Sequence, residues 1–321
     1  MKCASSFRGR GFLFFLLVTI ALAAPAARGQ NSAADRARLL SGQSPAFTPS
    51  PNVNANGVDQ NYAASTPNDS DLGEQAILKR ADQYQPFTLE AGVPVYYTSN
   101  VALVNSGEVG AVITAPVIGL TYAPKFQRTL YGEFTIRQQF FYYTNNLSSF
   151  NFASFDAIAG LTYFIPKFHN LALRAGLDFN RLTPTDSFDA FFSNLGLALN
   201  AEVPIPIGRA QQVSFGTFAN ISLYADSQPP RRNDFGIYAG YAVNLSRNFS
   251  INAASTFVVR PYDSGGRTDV SEVLSLSANY HIRDWLTVSA ISTYVANQSN
   301  QSVFRYNVFN GGGGVTLGLK F

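Results

Sequence analysis

From residue 87 onward, apolar and polar side chains alternate along the chain in long stretches. In the stretch 129–144, Phe134 and Ile136 fall on one face, and Thr135 and Arg137 fall on the other. A strand that alternates in this way places one face in apolar surroundings and the other in polar surroundings. The residues of the polar face are small or hydrophilic, so that face does not form the core of a soluble protein. The apolar face is therefore expected to meet lipid.

Twelve stretches carry this pattern: 87–98, 111–123, 129–144, 152–165, 170–181, 191–205, 211–225, 234–245, 248–260, 271–282, 285–297 and 309–321. The links between them alternate in length. Short turns lie near 124–125, 166–167, 208–209, 246–247 and 283–284, and longer polar links span 99–110, 145–151, 182–190, 226–233, 261–270 and 298–308. This alternation is typical of transmembrane barrels. The sequence predicts an all-β, antiparallel, up-and-down barrel of twelve strands over 86–321, with both termini periplasmic.

Two soluble all-β folds are weaker alternatives. The strands of a sandwich average about five or six residues, and these stretches are much longer. A propeller requires a repeated four-stranded motif, and no internal repeat is visible. Within the barrel, Pro94 and Pro116 each lack a backbone donor, which predicts a bulge or broken pairing in the first two strands and regular pairing in the other ten.

The N-terminus resembles a secretory signal peptide over residues 1–29. Lys2, Arg8 and Arg10 precede an apolar run from Phe12 to Ala24 that is too short to span a bilayer as a helix. The leader holds four bases and no acid, which leaves 19 bases against 20 acids in the mature chain. The basic pI therefore gives no reason to expect nucleic acid. Cys3 belongs to the leader, so no disulfide or cysteine-based site is expected after cleavage.

Residues 30–85 differ from the barrel in composition. The part from Ser41 to Asp71 is rich in Ser, Pro, Asn and Gly, which predicts a flexible periplasmic segment. Asp71 and Glu74 form a weak capping pattern that predicts a short helix over 71–82.

The last strand ends in the alternating residues 315–320 followed by a terminal Phe321. This ending resembles the C-terminal signature by which Gram-negative outer-membrane proteins are recognised for barrel insertion. The resemblance implies the porin-like barrel superfamily, a location in the cell outer membrane after export, and recognition of Phe321 by the barrel-assembly machinery. It implies no specific family.

The inward-facing charges are the candidate functional residues. They are Glu90, Glu133, Arg137, Asp156, Arg174, Asp178, Glu202 and Lys320. Counting through the turns predicts Arg137 beside Asp156, Asp156 across from Asp178, and room at Gly160 for Glu133 to meet Arg174. Such charges either form a constriction that selects solutes by sign or form a paired network that braces the wall. The wall from 211 to 282 contributes Gln, Asn, Ser and Tyr, so the lumen is expected to be electrostatically one-sided.

Other residues indicate no chemistry. The histidines, His169 and His281, are predicted at the periplasmic end without a nucleophile nearby, so neither catalysis nor metal binding is expected. The glycines 311–314 lie in the final strand and lack the rest of a phosphate-binding motif. Arg231, Arg232 and Arg267 could touch lipopolysaccharide, but solvated loop charge is expected. Outward aromatics at strand ends predict interface girdles: Tyr97, Tyr122, Tyr142, Phe191, Tyr280, Trp285, Phe309 and Phe321.

These observations predict a monomeric barrel that acts as a narrow passive channel for small polar or charged solutes, with lipid and lipopolysaccharide around it and no cofactor. The alternative is a closed structural or adhesive barrel that acts through its loops or N-terminal segment. A barrel enzyme is the third possibility.

Overall fold

The computed structural model describes residues 33–41, 84–144, 147–207, 210–226, 229–246 and 248–321. The predicted signal peptide and the predicted helix at 71–82 lie outside these residues. The described regular elements are α1 Ala33–Ser41, β1 Phe87–Thr98, β2 Ala111–Thr114, β3 Val117–Tyr122, β4 Leu130–Tyr143, β5 Phe152–Ile165, β6 Leu171–Pro184, β7 Phe192–Ile207, β8 Gln211–Asp226, β9 Asp234–Asn244, β10 Phe249–Pro261, β11 Thr268–Arg283, β12 Leu286–Ser299 and β13 Tyr306–Lys320. In the described part of the chain, no helix has the length and apolarity needed to cross a membrane.

The strands form one closed antiparallel sheet. Each strand pairs with its neighbours in sequence, and β13 pairs with β1 to close the circle. β2 and β3 are two halves of the second barrel strand, and both pair with β1 and β4. The predicted barrel of twelve strands is therefore confirmed.

The break in pairing predicted from Pro94 and Pro116 lies where the first two barrel strands meet. The second strand breaks between Thr114 and Val117, around Pro116. β1 runs without a break, and its Pro94 stays in register with Gly314 of β13. The expectation that the other ten strands are regular is wrong, because register shifts occur between β7 and β8 and between β11 and β12. Such bulges increase local twist and help a sheet to curve.

The barrel has two unlike ends. We call the end that holds Phe87 and Phe321 the terminal end, and the opposite end the loop end. The links 166–170, 208–210, 245–248 and 284–285 lie at the terminal end and are short. The links 99–110, 144–151, 185–191, 227–233, 262–267 and 300–305 lie at the loop end and are longer. The link 123–129, at the terminal end, departs from the predicted contrast.

The outer face of the barrel is apolar. Large side chains such as Ile136, Ile237 and Leu276 are more than half exposed on it. Aromatic rings lie on this face towards both ends: Tyr122, Tyr280, Trp285 and Phe321 at the terminal end, and Tyr97, Tyr142 and Phe309 at the loop end. This is the pattern of a lipid-facing surface with interface girdles. Phe191 does not belong to a girdle, because it packs against a buried cluster at the loop end.

Close contact between backbones shapes the seam that closes the barrel. A Cβ atom on Gly312 would stand 2.2 Å from the carbonyl oxygen of Val95, so only glycine fits this approach of β13 to β1. At the terminal end, Phe87 and Phe321 exchange two backbone hydrogen bonds of 3.1 Å. Their rings stack with centroids 5.6 Å apart. The terminal residue thus contributes to the closure of the sheet.

Candidate functional site

The loop end of the lumen contains the helix α1. Its sequence, AADRARLLS, is rich in strong helix formers, and Asp35 in the first turn complements the helix dipole. Ala34, Asp35, Ala37 and Leu40 are all buried. A nine-residue helix is marginal by itself in water, so packing against the barrel must supply most of its stability.

One side of α1 packs into an apolar cluster at the loop ends of the strands. Ala34, Ala37 and Leu40 belong to the same buried cluster as Tyr96, Ile113, Phe141, Phe152, Leu182 and Phe192. On another side, Leu39 packs against a second cluster that contains Leu103, Val295 and Val308. On these two sides of α1 the inward residues of the barrel are therefore apolar.

Asp35 is the centre of a buried charged network. Its Oδ1 accepts hydrogen bonds from Arg232 Nη1 at 2.8 Å and from the Tyr262 hydroxyl at 2.9 Å. Its Oδ2 lies 3.5 Å from Arg267 Nη1. Only 4 % of the Asp35 side chain is exposed. A carboxylate in such surroundings requires these partners to remain charged.

The two arginines are themselves held in place by carboxylates two residues further along the chain. Arg232 Nε donates to Asp234 and Arg267 Nε donates to Asp269, each at 2.9 Å. Arg260 completes the network, with its Nε 3.7 Å from Asp234. We call Asp35, Arg232, Asp234, Arg260, Tyr262, Arg267 and Asp269 the Asp35 cluster. It holds three bases and three acids, and Arg38 of α1 lies close enough to act electrostatically on Arg232, Asp35 and Asp234 as well.

Burial and charge fix the protonation states in this cluster. Burial alone would lower the pKa of Arg232, but the charges of Asp234 and Asp35 outweigh it and raise that pKa well above its ordinary value. Burial raises the pKa of Tyr262, so its hydroxyl keeps the proton that it donates to Asp35. The guanidinium of Arg267 lies between two rings, 4.0 Å from the Tyr262 centroid and 3.8 Å from that of Phe304.

A further contact holds the C-terminal half of α1. Arg38 Nη1 donates to the carbonyl oxygen of Pro230 at 2.7 Å, and its guanidinium lies 4.2 Å from the Phe192 ring centroid. Between α1 and the wall at Asn100 and Tyr143, the remaining space is only about 10 Å³, which is near the minimum for a single water. The helix therefore fits closely against this side of the lumen.

A polar cavity of about 470 Å³ lies between α1 and the wall formed by β5 to β11. Asp35 and Arg38 line it from the helix, and Asp156, Asp178 and Asn220 line it from the wall. The space is large enough for several waters or a small organic solute. The lumen is thus occupied by α1 at the loop end, and it is polar below α1, that is, on the side of α1 that faces the terminal end.

The structure brings some of the predicted lumen charges together. Arg137 Nη2 lies 3.2 Å from Asp156 Oδ2, and the two residues are in direct register. The predicted pairing of Asp156 with Asp178 is wrong by two residues, since Asp156 is opposite Asn180 and accepts a 2.7 Å hydrogen bond from it. Asp178 stands opposite Ile158 instead. Turn 166–170 holds five residues, which shifts the register away from the one counted along the sequence.

The remaining predicted charges lie closer to the terminal end. Glu133 is opposite Gly160, and its Oε2 lies 3.8 Å from Arg174 Nε. Glu202 accepts a 2.8 Å hydrogen bond from the Tyr238 hydroxyl, across the lumen-facing Gly216. Glu90 and Lys320 also face inward, in register with Gly119 and Thr88 respectively.

Two expectations about the opposite wall are wrong. Asp234, Arg260 and Asp269 face the lumen from β9 to β11, so charge is present on both sides. Arg232 and Arg267 are buried partners of Asp35 rather than solvated loop residues. Sequence reasoning missed this role of the two arginines, because nothing in the sequence indicates that a helix enters the lumen beside them.

The alternating pattern does not predict α1, although a local signal exists. Ser32 precedes the helix, Asp35 follows three residues later, and Gly42 comes directly after Ser41. These are typical start and stop signals of a helix. They identify the helix but not its position inside a barrel.

No protein-family model matches the chain, and no curated protein matches it significantly. Solved structures do match. An outer-membrane channel from Pseudomonas putida F1 is 12% identical, with a TM-score of 0.53 over 74% of this chain and 98% of that one. The NanC porin is also 12% identical, with a TM-score of 0.44 over 71% and 98%. The translocator domain of the autotransporter NalP from Neisseria meningitidis is 11% identical, with a TM-score of 0.42 over 74% and 90%. The chain has the fold of outer-membrane β-barrels.

Proposed function

We propose that this protein is a narrow passive channel of the bacterial outer membrane for small polar or charged solutes, and that α1 closes its loop end. The termini would face the periplasm, the barrel would act as a monomer, and lipid and lipopolysaccharide would surround it. The lumen is the observation that carries the proposal. Ion pairs and hydrogen-bonded polar groups line it below α1, and the cavity there holds about 470 Å³.

A purely structural barrel has no need of this cavity, because interior side chains can fill a small barrel completely. Here small inward residues such as Gly176 and Ala198 stand opposite one another in the wall beside the cavity. Removal of α1 would leave the loop end lined partly by the apolar residues that now contact Ala34, Ala37 and Leu40, and partly by Arg232, Tyr262 and Arg267, which now contact Asp35.

Solute flux into liposomes tests this proposal. Purified full-length protein and a variant that lacks residues 33–41 are reconstituted at equal density, and osmotic swelling is followed in small sugars, amino acids and organic acids. We expect slow swelling with the full chain and fast, size-limited swelling with the variant. Heat-modifiable migration of both proteins on gels controls for correct folding. Equal, background-level swelling for both folded proteins would refute the channel.

The closure by α1 also favours a second candidate, a closed barrel that acts through its loops. That candidate predicts no swelling even after α1 is removed, so the same experiment separates the two. Catalysis is not proposed. His169 and His281 lie towards the terminal end, and His281 Nδ1 is 2.9 Å from the Thr287 hydroxyl, which is not arranged as a catalytic nucleophile with a base and an orienting carboxylate.

A further inference from the structure

The Asp35 cluster has the composition of a carboxylate-binding site whose occupant belongs to the protein itself. Arg232, Tyr262 and Arg267 all come from loop-end links of the barrel, and only the carboxylate comes from α1. The two guanidinium groups and the hydroxyl converge on both carboxylate oxygens. Arginine and tyrosine donors in this arrangement recognise carboxylates in general, whether these belong to a side chain or to a small molecule.

Once α1 has left, the barrel side of the site is cationic. Asp35 leaves together with Arg38 of the same helix, and the barrel retains Arg232, Arg260 and Arg267 against Asp234 and Asp269. This surplus of one positive charge favours an anion at the vacated position. The carboxylates of Asp234 and Asp269 cannot compensate, because each is already bound to its own arginine.

We infer that Arg232, Tyr262 and Arg267 form a binding site for the carboxylate of a small organic acid, and that Asp35 occupies this site as an internal mimic of that ligand. The inference rests on the proposed function, since the acid would be a solute of the channel. A ligand that displaces Asp35 would remove a main anchor of α1 and favour the open barrel.

The site favours a monocarboxylate over a dianion. One negative charge restores the balance of the cluster, whereas a dianion would bring a second buried charge without a partner. The surroundings beyond the carboxylate are mixed. Val273 and Tyr306 of the barrel line the cavity beside Arg232, which suits a short apolar tail such as that of propionate. The cavity of about 470 Å³ lies directly beside the site and has room for such an acid.

Calorimetric titration of detergent-purified protein with propionate tests the site without any need for transport. The Asp35→Ala variant frees the position, and we expect saturable binding of propionate and at least tenfold weaker binding of succinate and sulfate. In the full chain with Asp35 intact, propionate must compete with the helix, so its apparent affinity should be at least tenfold lower. Adding Arg267→Gln to Asp35→Ala should abolish the binding. Adding Asp263→Asn to Asp35→Ala is the matched control and should leave the binding unchanged, because Asp263 pairs with Arg231 in the same loops but outside the Asp35 cluster.

A second measurement covers the case in which Asp35→Ala does not fold. Ala37→Cys places a thiol on the buried side of α1 in a mature chain that is predicted to have no other cysteine. We expect propionate, but not sulfate at equal ionic strength, to accelerate its labelling by a membrane-impermeant reagent. Absence of propionate binding in a folded Asp35→Ala variant, or equal effects of propionate and sulfate, would overturn the site while leaving the channel proposal intact. Binding without any solute flux would instead refute the channel alone.

Discussion

Replacement of Asp35 by asparagine tests how α1 is held in the lumen. Asparagine has the same shape and keeps one carbonyl acceptor, but it removes the charge that balances Arg232 and Arg267. Breaking a buried ion pair from one side typically costs about 3–5 kcal/mol. Because asparagine retains part of the hydrogen bonding, we expect the substitution to destabilise the bound position of α1 by the lower value of about 3 kcal/mol. At about 1.4 kcal/mol per factor of ten, the unseated population should rise roughly 100-fold.

Thiol labelling of Ala37→Cys measures that population. Ala37 is 1% exposed, so its thiol should react only when α1 leaves the wall. In the Asp35→Asn background, the labelling rate should rise roughly 100-fold, in proportion to the unseated fraction. Ser264→Cys, in an exposed loop, should react at the same fast rate in both backgrounds. Asp263→Asn should have little effect, since an exposed ion pair contributes at most about 1 kcal/mol. An unchanged rate in Asp35→Asn would refute the role of the Asp35 cluster as an anchor.

Three further predictions concern the wall and the assembly of the barrel. In a chain without residues 33–41, Arg137→Gln should shift ion selectivity towards cations, most strongly at low salt. It should lower the free energy of unfolding by only about 1–2 kcal/mol, because Asn180 and Ser154 still donate hydrogen bonds to Asp156. Unchanged reversal potentials would contradict a constriction at this position. Gly312→Ala should prevent formation of the heat-modifiable barrel, since its Cβ would collide with the Val95 carbonyl, whereas Gly318→Ala on the same strand meets open space and should assemble normally. Deletion of Phe321 should leave protein in the periplasm, and normal insertion would show that the ring and its backbone bonds to Phe87 are dispensable.

The barrel could be predicted from sequence because its cause is local. Alternation with a period of two is imposed on every strand by lipid outside and polar groups inside, and it remains visible without knowledge of any distant contact. The register between strands is less local. The pairing of Arg137 with Asp156 was predicted correctly, because the pattern defines well the ends of the two strands that carry them. The five residues of turn 166–170, in contrast, displace Asp178 from its predicted partner.

The content of the lumen could not be predicted in the same way. α1 is a short helix whose stability depends on residues about 190 or more positions away, such as Pro230 and Arg232. Its buried residues, Ala34, Ala37 and Leu40, have no repeated pattern long enough to indicate which surface covers them. Arg232 and Arg267 look like solvated loop charges in the sequence, because nothing near them in the chain supplies the carboxylate of Asp35.

Single-channel recording in planar bilayers tests most directly the claim that α1 closes a conducting barrel. The full chain and the variant without residues 33–41 are compared in the same lipid and salt, with folding checked by heat-modifiable migration. The account predicts rare, brief openings for the full chain and sustained conductance for the variant. Sustained conductance of equal size in both proteins would show that α1 does not close the channel, and silence in both would show that the barrel is not a channel.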